Sequence, residues 1–235
     1  MLAAVIFPIA SSDVPLVVAK GGLAAVTLAL GLAAFWTALL TGRQMKRNYL
    51  PIMIPGRPDG IAREVTFVKG GKHVRLESAE TYTNDDEDYV YLAFLLRNIG
   101  SGVAILNAVD ARPKPEDLVE IVSDRLPSLK GLVRASRAVY LGPGEAGYVM
   151  LWTYRELGTP GRDAWGVLEE TIPAKSDFLL DLLYSDLAGR QLTVSRLEFN
   201  WATNIDRYVA RSVKDWRPRA FKRRQLARRI ASIPS

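Results

Sequence analysis

An uncharged run from Gly21 to Gly42 constrains this chain more than any other feature: its 22 residues comprise 15 apolar side chains, four Gly and three Thr. As a helix it spans roughly 33 Å, which matches a hydrocarbon core of about 30 Å. A buried helix of a water-soluble domain rarely runs so long without one polar face. A cleaved signal peptide fits less well, because Asp13 and a single Lys20 precede the run where a positively charged segment belongs. The expectation is an uncleaved transmembrane helix over 21–42, preceded by a short N-terminal segment 1–20.

Flanking charge orients such a helix. Arg43, Lys46 and Arg47 come directly after it, against Lys20 on the other side. The positive-inside rule then predicts a single-pass protein of the cell membrane with its C-terminal domain in the cytoplasm. One face carries Gly21, Ala25, Ala29 and Ala33, continued by Thr37 and Thr41, all spaced by four. Small residues at that spacing let two backbones approach in lipid, as in a homodimer or a pair with a partner membrane helix. An Ala-rich helix also produces the spacing without any pairing.

Composition excludes several chemistries. The 235 residues include no Cys and one His, His73, which removes thiol nucleophiles, disulfides, Cys/His zinc sites and any His-based triad not built on His73. The net charge of +6 is unevenly placed: from Asn204 onward there are ten Lys/Arg against Asp206 and Asp215, while the rest of the chain has 21 basic and 23 acidic residues. The whole excess therefore belongs to a basic C-terminal tail, 203–235.

Between a Pro-rich linker, 43–60, and that tail, the pattern is that of strands. Glu64–Val68 and His73–Glu77 flank Lys69-Gly70-Gly71-Lys72 as a hairpin. Tyr89–Arg97 (YVYLAFLLR) is a nearly continuous apolar run, as expected of a central strand buried on both faces. Gly102–Arg112, Val139–Leu141, Gly147–Tyr154, Asp177–Tyr184 and Gln191–Phe199 come next, separated by Gly, Asn and Pro turns. Gly189 suits a left-handed position in the last of these turns. The expected fold is mainly β: an antiparallel β-sandwich over 61–202 with short helical insertions, after a transmembrane helix and before a basic C-terminal helix or tail. Two segments, LRNIGSGVA at Leu96–Ala104 and LGPGEAGYVML at Leu141–Leu151, resemble immunoglobulin-like modules of bacterial surface and membrane proteins. In those modules an Asn-x-Gly turn succeeds a central strand and a Pro-Gly-Glu turn opens a later one. The whole chain also resembles single-pass bacterial membrane proteins built as anchor, linker and β domain. These are turn motifs, so the resemblance implies a fold and no activity.

Two helical excursions are expected. In Pro115–Arg134, Pro115 suits a helix start and Leu118, Ile121, Val122, Leu126, Leu129, Leu132 and Val133 approximate one stripe, broken at Pro127. It reads either as a cover for the sandwich or as a face for a partner or membrane. Arg162–Ile172, with Trp165, is the second.

No catalytic or cofactor constellation is legible. Asp85-Asp86-Glu87-Asp88 is the densest carboxylate cluster, but it lacks the alternating ligands and bracing Gly of a calcium loop, so a solvated loop is expected and no metal. His73 has no readable partner. Asp181 faces outward between Leu180 and Leu182 by simple alternation. Gly142-x-Gly144-x-x-Gly147 has dinucleotide-fingerprint spacing, yet Pro143 and the strand after it predict a turn.

The sharpest local signal is RPRAFKRRQLARRI at Arg217–Ile230. Phe221, Leu226 and Ile230 lie near one helical stripe, with Arg217, Arg219, Lys222, Arg223, Arg224, Arg228 and Arg229 around it. As an interfacial helix it would sink the apolar stripe into the headgroup region while its cations meet anionic lipid headgroups. A nucleic-acid contact shares the charge but lacks a recognised binding fold, and a disordered tail is the plain alternative. The functional expectation is a membrane-anchored, non-enzymatic binding or scaffolding module that takes the lipid bilayer as its first partner. A membrane-tethered enzyme with an unrecognised site and an externally facing envelope or adhesion module are the rival readings.

Overall fold

The protein is described by a computed structural model covering residues 26–41, 50–56, 63–66, 73–76, 81–85, 88–117, 121, 125–134, 139–154, 163–189 and 191–233. It divides into two units, Met1–Asn48 and Tyr49–Ser235. Within the first, residues 26–41 form helix α1, every residue of which is exposed. Residues 21–25 and 42 of the uncharged run lie outside the described residues, and among the described residues no helix is long and apolar enough to cross a membrane.

The second unit is mainly β, with antiparallel sheets in a sandwich-like arrangement. Its strands are β1 (Met53–Pro55), β2 (Arg63–Thr66), β3 (His73–Leu76), β4 (Tyr82–Asp85), β5 (Tyr89–Asn98), β6 (Ala104–Pro113), β7 (Val139–Leu141), β8 (Ala146–Tyr154), β9 (Phe178–Ser185), β10 (Leu192–Ala202) and β11 (Arg207–Trp216). Helix α2 (Ala164–Thr171) precedes β9 and helix α3 (Ala220–Ser232) ends the described chain. The first sheet is centred on β5, with β8 along one edge and β1 and β4 in tandem along the other. The second runs β11-β10-β9-β6-β7, and β2 and β3 form a separate hairpin.

Period-two alternation puts Val90, Leu92, Phe94 and Leu96 of β5 against Val109, Ala111, Leu180, Leu182, Leu197 and Phe199 of the second sheet. Phe178 and Phe199 stack at 4.7 Å between ring centroids, with Phe94 edge-on to Phe199 at 5.2 Å. Helix α2, capped by Asp163 through the Gly166 N–H at 2.9 Å, packs against β6 and β8 and adds Ala164, Val167 and Leu168 to this core. The expectation that β5 is buried on both faces holds because its outer residues Tyr91 and Ala93 lie beneath Leu76 of the hairpin.

The β5–β6 turn is organised by one side chain. Asn98 is fully buried, and its Oδ1 accepts from the Ile52 N–H at 3.1 Å and the Gly100 N–H at 3.0 Å. Its amide donates to the Gly102 carbonyl at 2.6 Å and the Leu141 carbonyl at 3.0 Å. All four hydrogen-bonding capacities of the amide are thereby used. This one residue ties the segment before β1, the turn and β7 together. The Gly142–Gly147 spacing belongs to the β7–β8 turn, where Gly144 N–H donates to the Asn98 carbonyl at 2.8 Å, as Pro143 predicts.

Several boundaries differ from those read in the sequence. The expected linker contains β1, and the expected tail begins with β11, which pairs with β10 along most of its length. Trp201, Thr203 and Asp206 therefore lie in or beside a β-hairpin, and the second sheet reaches residue 216. The helix expected over Pro115–Arg134 does not extend through its second half. Ile121 is helical, residues 118–120 and 122–124 lie outside the described residues, and 125–134 is irregular. Val133 there exchanges backbone hydrogen bonds with Val109 of β6 at 2.9 Å, which a helix would forbid. The expected helix at Arg162–Ile172 is α2, and Gly189 takes φ +65° as the turn requires.

Replacing Asn98 with Ala removes one hydrogen-bond partner each from the N–H groups of half-buried Ile52 and Gly100 and from the carbonyls of buried Gly102 and Leu141. Chemical denaturation should show a loss of about 3 kcal/mol or more, whereas Ile99→Ala in the same turn should cost under about 1 kcal/mol.

Candidate functional site

Alternation in β6, β9, β10 and β11 sends a second set of side chains to the outer face of the five-stranded sheet, and this set is largely charged. Register aligns Asp110, Asp181, Arg196 and Lys214 in one row straight across four strands. Two residues further along β6, β9 and β10, and three along β11 where the register shifts, Arg112, Leu179, Glu198 and Arg211 form the next row. Cross-strand neighbours of opposite sign stabilise such rows, and like neighbours strain them.

Asp181 is where the sequence reading needs correction. It does face outward between Leu180 and Leu182, but that face is covered, and the side chain is 0% exposed. Arg196, 2% exposed, holds it in a forked pair, Nε to Oδ1 at 2.7 Å and Nη2 to Oδ2 at 2.9 Å. Arg112 adds a third contact to Oδ2. Arg196 also donates to the Ile121 carbonyl at 3.1 Å and lies over the Trp216 ring at 4.9 Å. Glu198 is equally buried and is clamped by Lys114, 2.8 Å from Oε1, and by Arg211. Burial pulls its carboxyl upward, yet hydrogen bonds from Arg211 and Lys114 hold it below the ordinary carboxylate range.

Asp110 has the opposite balance. Burial, and after it the Asp181 carboxylate, pushes it up to about 6 against the lowering influence of Arg112, the Gly131 N–H and Arg196. Gly131 must be glycine for this approach: a Cβ there would lie 2.8 Å from Asp163 Cα and 2.9 Å from Asp110 Oδ1. Beside the second row opens a cleft of about 680 Å³ lined by Lys114, Glu116, Glu170, Thr171, Ser176 and Asp177. Lys114 already meets Asp177, Asn200 and Glu198 at 3.0, 2.7 and 2.8 Å. Its ammonium thus serves as an internal counter-ion to the cleft floor.

Helix α3 sits at the other end of this face. Leu226, 6% exposed, joins Ala108, Leu129, Leu183, Leu192, Val194 and Trp216 in a second apolar cluster, with Ile230 and Ile233 packed against it. The amphipathic stripe expected to enter lipid is thus seated on the sheet through Leu226 and Ile230. Arg217, Arg219, Lys222, Arg224, Arg228 and Arg229 are exposed and Arg223 is partly exposed. Arg134 Nη2 donates to the Ile230 carbonyl at 3.4 Å, and Arg229 Nη1 to the Ser128 and Leu129 carbonyls at 3.3 and 3.4 Å. Lys130 and Arg134 of the neighbouring turn are also exposed, and nothing in the sequence pattern joins them to the basic cluster. Only the approach of 128–134 to α3 in space reveals them.

Other expected positions are more scattered. Gly21 and Ala25 lie outside the described residues, while Ala29 and Ala33 are exposed on α1. His73 pairs in register with Thr66 in the β2–β3 hairpin. Asp86 and Glu87 lie outside the described residues, and Asp88 is exposed. Among the described residues no group of three or more His, Cys, Asp or Glu side chains is placed to hold a metal ion.

No family model and no curated protein matches the chain. Solved structures similar to it include β-glucosidase 3B from Thermotoga neapolitana in complex with α-D-glucose, at 13% identity and a TM-score of 0.22, the alignment covering 60% of this chain and 16% of that one. A β-glucosidase from Kluyveromyces marxianus aligns at 15% identity and a TM-score of 0.21, over 60% of this chain and 15% of that one. The chain thus spans under a fifth of the length of either enzyme. Likeness at this level carries no argument about activity.

The two neighbouring carboxylates should respond oppositely to neutralisation. Asp110 binds its proton more tightly when folded, so its contribution is greatest below about pH 4 and is lost as pH rises through about 6. Asp110→Asn should stabilise the protein by on the order of 2 kcal/mol at pH 8, the gain fading toward pH 4. Asp181→Asn leaves Arg196 buried without its full partner and should cost about 3 kcal/mol at pH 8. Urea denaturation of both variants across pH checks the pair, and destabilisation by Asp110→Asn at every pH would mean that guanidinium pairing outweighs burial.

Proposed function

We propose that this protein is a membrane-anchored, non-enzymatic binding or scaffolding module. It is held by a transmembrane helix over 21–42, with an immunoglobulin-like sandwich on the cytoplasmic side. The observation that carries the reading is the surface of α1. Leu28, Leu30, Leu32, Phe35, Trp36 and Leu40 are each between 53% and 69% exposed. So many large apolar side chains on one short helix need a cover, because contiguous exposed apolar surface of this kind marks a contact with lipid or protein. Lipid covers all sides of a helix at once, and the neighbouring uncharged residues of the 21–42 run extend it to spanning length. Arg43, Lys46 and Arg47 favour the cytoplasmic side for the sandwich.

The non-enzymatic part is supported by how the charges of the sandwich are used. Asp181 and Glu198 are committed to cations of the same sheet face, and Lys114 to acceptors of its own cleft. Groups so paired brace a scaffold and leave little capacity for acid–base work.

Alkaline carbonate washing of membranes tests the anchor. The full chain should stay with the membrane pellet, and a chain lacking 21–42 should move to the supernatant. A reporter fused after Ser235 should be active only in its cytoplasmic form. Extraction of the full chain by carbonate would contradict the reading.

A further inference from the structure

We infer that α3 acts without leaving the sandwich: the docked helix and the 130–134 turn form one cationic face that meets the phosphate headgroups of an anionic bilayer. The inference rests on the membrane-anchored reading above, since the anchor keeps this face near lipid. Three observations lead to it. First, the apolar side of α3 is occupied. Leu226 is buried against Leu129, Leu183, Val194 and Trp216, with Ile230 and Ile233 alongside. Moving that stripe into lipid would uncover the sheet residues beneath it, so it exchanges one apolar contact for another with no net burial. Second, the helix is fastened at its end by Arg134 on the Ile230 carbonyl and by Arg229 on the Ser128 and Leu129 carbonyls. Cations at a helix C-terminus also complement its dipole.

Third, the outward surface carries one sign of charge. From Arg217 to Ser232 there is no Asp or Glu, and six exposed cations of this segment are joined by Lys130 and Arg134. A notch of about 380 Å³ lies between the turn and the helix end, lined by Leu129, Lys130, Leu132, Arg229, Ser232 and Ile233. Lys130 on one wall and Arg229 on the other make it suited to a phosphodiester headgroup. Each cation near an anionic leaflet strengthens attachment roughly fivefold, and salt screens the effect. The contact is therefore electrostatic and peripheral, with Lys130 and Arg134 as full members of the surface.

The test uses the full chain, which has no Cys, carrying one label at Ala227→Cys on the exposed side of α3. Energy transfer is read to a lipid dye in vesicles of phosphatidylcholine, with or without phosphatidylglycerol. Transfer should rise with phosphatidylglycerol and fall back to the neutral-vesicle level at about 0.5 M salt. Lys130→Gln with Arg134→Gln should lower the bound-to-free ratio as strongly as Lys222→Gln with Arg224→Gln, roughly 25-fold for either pair. Arg134→Lys, which keeps the charge, should restore most of the loss assigned to Arg134. The proposal is overturned if phosphatidylglycerol makes no difference, or if a duplex oligonucleotide engages these cations while anionic vesicles do not. It is also overturned if the turn pair has no effect while the helix pair abolishes binding, the outcome for an undocked helix. A full chain that fails to co-float with neutral vesicles defeats the anchor instead. The phosphatidylglycerol dependence is then read by flotation, which keeps the two failures distinct.

Discussion

The buried pair of Asp181 and Arg196 is the constraint around which the second unit is arranged. Ionised groups at 0% and 2% exposure are tolerable only when each hydrogen-bonding position is met and water is kept out together with the competing charges. Asp181 therefore draws in Arg112, and Arg196 takes the Ile121 carbonyl and the Trp216 ring. These partners come from β6, from the segment after it and from β11, so the pair is complete only when distant parts of the chain have met. A buried ion pair adds little net stability, because desolvation offsets attraction, but a wrong register across these strands would leave a charge unpaired. In the register that pairs both charges, Ala108, Leu183, Val194 and Trp216 also align across the four strands, and Leu226 is buried in the cluster they form.

The outer face thus has two halves with different chemistry. Near Lys114 and Glu198 the charges neutralise one another and lean on an open cleft. Near Trp216 and Leu183 the face turns apolar and receives Leu226. The same helix that completes the apolar half carries most of the basic excess of the chain outward. Placing cations on a docked helix removes the ordering cost that a free tail would meet on binding. In the proposed setting the sandwich acts as a rigid base for a charged surface.

Strands with strong period-two or continuous apolar signals are legible in the sequence: β5, β6, β8, β9 and β10 all lie within a few residues of their expected bounds. The turns at Gly189 and Asn98 are legible too, because their chemistry is local. β11 is not. Its sequence, RYVARSVKDW, carries four charges in ten residues, which suit an edge strand, and those same charges read as a tail when its pairing with β10 is out of view. The short β1 and β4 carry too few residues to show a period. The segment 125–134 has helical spacing, yet Pro127 and the bond between Val133 and Val109 override it. For the candidate site, the tail cations are visible in the sequence, whereas Lys130, Arg134 and the buried state of Asp181 depend on which surfaces meet. Alternation predicts only that Asp181 points away from the core. Whether water or protein lies on that side is a tertiary fact.

Amide hydrogen exchange of the full chain most directly tests the claim that residues 207–233 are folded onto the sandwich. Amides of Tyr208–Trp216 should exchange only through unfolding of the whole sheet, and those of Arg223–Ile230 roughly a thousandfold or more below the random-coil rate. Random-coil exchange across both segments would contradict the account, because it would make this region a free basic tail with no seat on the sheet.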